Sequence, residues 1–188
     1  MSELNNFHGI FRSFPRTLIY FPFFYSIIFQ DIRGIIFALL IVFNDISNWF
    51  LKHNIMQPIY NIFQDKNGKL PILGIGKRPE GANNTNSFID ITKLNKIEKT
   101  FGMPSGHSQI AAFAVTFWIL YMLDKYDNTL QRNISILFII IIGLYAMYHR
   151  VLFNCHTIQQ VIFGGLIGVT IALFSYKFLR NKFINNDK

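Results

Sequence analysis

Apolar positions in this chain are not spread evenly but gather into long runs separated by polar stretches. Five runs stand out, over residues 17–30, 34–51, 105–123, 134–148 and 158–178. A helix rises ~1.5 Å per residue and needs ~20 residues to cross a bilayer, a length that the last four approach or reach. The first holds 14 residues. It is expected to be re-entrant, to lie in the interface, or to extend through Asp31 and Arg33. The pattern predicts an all-α fold: an integral-membrane helix bundle of about five spans with one large extramembrane loop.

The polar stretches between the runs supply the geometry. Residues 124–132 form a short polar linker, so the third and fourth spans are neighbouring antiparallel helices, which brings Ser105 and Arg150 to the same membrane face. Residues 52–104 carry eight Lys or Arg, four Asp or Glu, and turn-forming pairs such as Asn67-Gly68. This is the large loop. One domain is expected over residues 1–188, its motifs concentrated within 48–168. Residues 1–16 lack an apolar core followed by a small-residue cleavage site, so no cleavable signal peptide is expected. Residues 177–188 read as a solvated tail.

Composition agrees with a bilayer as solvent. Of 188 residues 51% are hydrophobic, and the mean hydropathy is +0.29, more apolar side chain than one soluble core of this length requires. The net charge of +8 lies between hydrophobic runs and not on a folded polar face, which argues against nucleic acid and favours acidic lipid headgroups. The single cysteine, Cys155, cannot form an internal disulfide. The aromatic stretch from Tyr20 to Phe29 fits interfacial anchoring better than prenyl binding, and Lys93, Lys96 and Lys99 fit a solvated loop face.

Three clusters are brought together by the antiparallel arrangement: Lys77, Arg78 and Pro79 in the loop; Pro104, Ser105, Gly106 and His107 opening the third span; and Arg150 with His156 before the fifth. Arginine supplies a planar, permanently charged fork matched to phosphate oxygens. Ser105 is a natural N-cap, so the amides of Gly106 and His107 and the positive end of the helix dipole face the same anion. Two histidines suit a reaction in which one attacks phosphorus and the other protonates the departing oxygen. His8, His53 and His149 have no carboxylate or thiol partners at ligand spacing, and neither a metal nor another cofactor is expected.

The string Pro104-Ser105-Gly106-His107, with Arg150 followed after five residues by His156, resembles the second and third motifs of the type 2 phosphatidic acid phosphatase superfamily. Arg78-Pro79 resembles the end of the first. The likeness covers roughly residues 48–168 and is nearest to the dolichyldiphosphatases, through Gly102 to Gln109 and through His156-Thr157 with Gln160-Val161. The resemblance implies that Arg78, Arg150, Ser105, Gly106 and the first-motif lysine bind phosphate, that His156 is the nucleophile and His107 the acid. It further implies hydrolysis of a lipid phosphate or diphosphate, a polyprenyl or dolichyl diphosphate by preference, and an endoplasmic reticulum membrane with a lumenal site.

Three positions depart from the superfamily pattern. Pro71 stands where the first-motif lysine belongs, seven residues before Arg78. Lys52, Lys69 and Lys77 compete for that role, and Lys52 would fit if about twenty residues were inserted before Arg-Pro. Gln160 replaces an aspartate four residues after His156, on the same helical face; its carbonyl can accept from the imidazole but brings no charge. His149 replaces a serine and reads as a polar helix-end residue. A lipid phosphotransferase on the same scaffold and a non-catalytic lipid-phosphate binder are the alternatives. Asn83-Asn84-Thr85 and Asn133-Ile134-Ser135 match the glycosylation pattern and serve as topology probes.

Overall fold

A computed structural model of the protein describes residues 17–80, 82 and 101–184. The N-terminal segment, the Asn83 triplet and Lys93, Lys96 and Lys99 lie outside the described residues. The described chain is helical, with α1 at Thr17–Phe29, α2 at Ile32–Phe63, α3 at Gly106–Lys125, α4 at Leu130–Leu152 and α5 at Ile158–Ile184. The last four are long and apolar enough to cross a membrane, and α1 is shorter. Asp31 separates α1 from α2. Its carboxylate accepts from the Arg33 backbone N–H at 3.0 Å and from Arg33 Nε at 2.8 Å, capping α2 at the boundary between the two apolar runs.

Two expectations are corrected. The second run was expected to end at Leu51, yet α2 continues to Phe63 through a wider π turn over Leu51–Met56. Pro58 follows at once, and in a regular helix its ring would meet the carbonyl four residues back; the π turn is the local accommodation. Lys52 therefore sits on a helix and not in the loop. Likewise the expected solvated tail is, as far as Ile184, the end of α5. Phe183 is buried there, and Arg180 pairs with Asp124 at the end of α3 through Nη2 and Oδ1 at 3.1 Å.

Between lipid and protein there is little apolar transfer energy to gain, so close approach and polar contacts select the packing. Gly164 and Gly168 let α5 lie against the backbone of α3: a Cβ at Gly164 would fall on the Ser105 carbonyl, and one at Gly168 on that of Gln109. Above this crossing the rings of Phe37, Phe113, Phe117 and Tyr176 interleave, with Phe117 edge-on to Tyr176 at 5.3 Å. On the other side, α2 and α3 share buried carboxamides. Asn48 Nδ2 donates to Gln109 Oε1 at 2.8 Å, and Gln109 Nε2 donates to the Asn44 carbonyl at 3.0 Å. Gly168→Ala pits a methyl group against a backbone oxygen that cannot rotate away. It is expected to cost about 1–3 kcal/mol, read as a lower Tm of the detergent-solubilised protein.

On the way from α2 to α3 the chain forms a small hairpin. Strand β1, Lys69–Leu70, pairs antiparallel with β2, Gly74–Ile75, in the register Leu70 to Gly74. Its tip is tight, since the Leu73 N–H donates to the Pro71 carbonyl at 2.8 Å with Ile72 at φ 69. That is a γ-turn in its rarer, left-handed form, and a β-branched residue is poorly suited to its centre. Beneath the hairpin Leu70 packs with Met56, Tyr60, Phe101 and Met103 in a second apolar cluster. The Tyr60 hydroxyl donates to the Gly74 carbonyl at 3.1 Å.

Candidate active site

The end of the bundle where α2 leaves, α3 begins, α4 stops and α5 starts collects the polar residues. Ser105 caps α3 as its sequence suggests: its Oγ accepts from the Ser108 N–H at 3.4 Å, and its own N–H donates to the Gln160 carbonyl at 3.1 Å. Gly106 lies against the Asn48 carboxamide, whose Oδ1 would be 3.0 Å from a Cβ there. His107, on the first turn of α3, is buried.

From the other side comes the turn between α4 and α5. The Arg150 carbonyl accepts from both the Cys155 N–H at 2.9 Å and the His156 N–H at 3.1 Å, so the backbone itself ties Arg150 to His156. Both side chains are buried, at 1% and 3% exposure. His149, next door, stacks on Phe153 with ring centroids 4.3 Å apart, in keeping with a helix-end packing role.

Hydrogen bonds determine which nitrogen of His156 carries its proton. Arg78 Nη1 lies 3.3 Å from His156 Nε2, and a guanidinium can only donate, so Nε2 presents its lone pair. The proton is then on Nδ1, which donates to Gln160 Oε1 at 3.0 Å. Gln160 uses its other end as well. Its Nε2 donates to the carbonyls of Ile75 and Lys77, each at 2.9 Å. One buried carboxamide thus orients the imidazole and clasps the segment that carries Arg78. Gly102 leaves the space for it, because a Cβ there would collide with the Gln160 amide nitrogen at 2.8 Å.

The electrostatics point the same way. Burial, and then the positive charges of Arg78, Arg150 and Lys52, hold the His156 imidazole well below its usual pKa, with the Gln160 hydrogen bond opposing them. The imidazole is therefore neutral at pH 7. Lys52 is buried at 3% exposure and near enough for its charge to act on His156. Lys77 and Lys69, its competitors by sequence, have exposed side chains. Lys77 takes part through its carbonyl, and its backbone bridges to Phe101.

Sequence reasoning missed Asn44, Asn48 and Gln109. For the first two the signal was present: Asn44, Asn48 and Lys52 recur every four residues along an apolar span, a polar stripe that a lipid-facing surface would not tolerate.

Such a bundle, with a neutral imidazole set beside cationic side chains at one end, defines a membrane-spanning helical protein with its polar and charged groups gathered where α3 and α5 begin. Residues 72–184 match the profile of the PAP2 superfamily, and the chain belongs to that superfamily. It is also similar to two proteins called dolichyldiphosphatase 1. The one from Dictyostelium discoideum is 30% identical over 82 residues, 42% of this chain and 36% of that protein. The one from Rhinolophus ferrumequinum is 26% identical over 157 residues, 79% of this chain and 54% of that protein. The chain thus spans about half or less of the length of these relatives. No solved structure matches it.

Proposed function

We propose that this protein hydrolyses a lipid phosphate or diphosphate, with polyprenyl or dolichyl diphosphate as the favoured substrate, through a phosphohistidine formed on His156. The observation that carries the reading is the Nε2 lone pair of His156, held 3.3 Å from Arg78 by a Gln160 bond on the opposite nitrogen. A phosphate entering between them takes over the guanidinium N–H groups and leaves Nε2 facing phosphorus. Nε2 then forms the P–N bond while the bond to the lipid oxygen breaks, and His107 supplies the proton that oxygen needs. Water, giving a proton to His107, attacks the phosphohistidine and releases inorganic phosphate. For a diphosphate, the leaving group is the lipid monophosphate.

Arg78, Arg150, Lys52, Ser105 and Gly106 are assigned to the phosphate oxygens. Those cations meet the charge that metal ions meet elsewhere, and turnover is expected to survive EDTA. The names of the relatives support the polyprenyl preference and an endoplasmic reticulum location. A reporter glycan at Asn83 and none at Asn133 is the result expected for a lumenal site.

The deciding experiment compares phosphate release by purified protein from dolichyl diphosphate, undecaprenyl diphosphate and phosphatidic acid, beside a His156→Ala control. Release that appears only with an added acceptor alcohol, as a phosphorylated alcohol, would make the protein a phosphotransferase. No release from any of them would leave a binder.

Gln160→Glu separates the two jobs of that residue. The carboxylate still accepts from Nδ1 but cannot donate to the carbonyls of Ile75 and Lys77, and its charge favours the imidazolium. The expected result is a KM raised by about tenfold or more, through a loosened Arg78, with the acid limb of kcat/KM moved to higher pH.

A further inference from the structure

We propose that the tip of the hairpin between α2 and Arg78, formed by Pro71, Ile72 and Leu73, is a membrane anchor whose Ile72 side chain inserts into the bilayer beside the first turn of α5, while Leu73 packs inward on the cluster beneath. Ile72 is 96% exposed, more than any other large apolar side chain among the described residues. It also occupies the centre of the left-handed γ-turn, at φ 69, where glycine or asparagine would sit without strain. An isoleucine that is both strained and in water gains nothing from either condition. Seated in hydrocarbon, it gains the transfer free energy of a whole side chain.

The tip is not a loose end that happens to be apolar. Tyr60 donates to the carbonyls of Leu73 and Gly74 at 3.3 and 3.1 Å, and Leu70 is buried under the strand. Gly74 rests on the Gln159 side chain, with 3.1 Å available to a Cβ. That contact sets the hairpin against α5. Gln159 belongs to the first turn of α5, whose neighbours Ile158 and Ile162 are 58% and 54% exposed and belong to its lipid-facing surface. The hairpin that carries Ile72 thus rests beside this exposed first turn of α5. Lys69 on the hairpin and Lys66 in the turn just before it, both exposed, would meet anionic headgroups.

The chemistry names the partner as the lipid bilayer itself. Arg78 follows the hairpin by three residues and is tied to it through the Gln160 bonds to Ile75 and Lys77. Anchoring the tip therefore sets the depth at which Arg78 waits for a lipid headgroup. This last consequence rests on the proposed phosphatase reading; the anchoring itself does not.

Spin labelling tests the anchor without turnover. Ile72→Cys carries a nitroxide in liposomes of phosphatidylcholine and phosphatidylserine, with Cys155 buried and unmodified protein as the background control. High collision with oxygen and protection from a water-soluble nickel chelate is the expected result. Access to the nickel chelate overturns the proposal, and protection from both reagents overturns it too, because a protein surface would then cover the tip. Ile72→Asn relieves the turn and removes the apolar group together. It is expected to leave Tm in detergent unchanged or higher, yet to raise KM for a long-chain lipid phosphate roughly tenfold with no change for a water-soluble phosphate monoester. An equal rise on both substrates would place the residue's effect in the site and sink the anchor.

Discussion

His156→Ala is expected to lower phosphate release by about 10³-fold or more, with little change in the fold, and the wild-type acid limb of kcat/KM is expected to lie below pH 6.5. The first part follows from chemistry, because alanine leaves nothing to bond phosphorus. The second follows from the environment. Burial dominates, and the charges of Arg78, Arg150 and Lys52 add to it; all of them disfavour the imidazolium, so the His156 pKa is depressed. A protonated imidazole has no lone pair to offer, and a depressed pKa postpones that loss to lower pH. The limb of kcat/KM reports the free enzyme, so a profile from pH 4 to 8 reads it directly. A limb at or above 6.5 in the wild-type protein would mean that His156 is not the titrating nucleophile.

Much of this arrangement was legible in the chain because it is local. Ser105 caps α3 because a serine before an apolar run has a nearby N–H to bind, and Arg150 meets His156 because a helix end of five residues closes on its own carbonyl. Long apolar runs announced the spans. What escaped reading depended on the path between elements. Lys52, His53 and Asn54 look like the end of a span, and only the π turn ahead of Pro58 shows that the helix carries on. The clasp by Gln160 was half legible: its bond to His156 was expected, although His156 precedes α5 and does not share its helical face as the spacing suggested, whereas its other partners are backbone carbonyls, which have no sequence signature. Asn48 and Gln109 stand 61 residues apart, and nothing in their local sequence ties them together.

The same path-dependence separates the lysines, and here the predicted difference is large. Lys52→Ala is expected to lower kcat/KM by about 10²-fold or more, while Lys77→Ala stays within about threefold, the range of a solvent-screened surface charge. Lys52 is buried at 3% exposure and acts on His156 through its charge, so little water stands between it and any anion held there. Lys77 offers the site a carbonyl, which alanine also has. Removing the Lys52 ammonium also removes one of the charges that depress His156. The acid limb of kcat/KM should therefore move to higher pH in Lys52→Ala and stay in place in Lys77→Ala. Inorganic phosphate as a competitive inhibitor gives an independent reading, since its affinity should fall for the first variant only. If Lys77→Ala proved the damaging change, the hairpin would have to refold on binding to bring that side chain inward, and the buried ammonium on α2 would be structural.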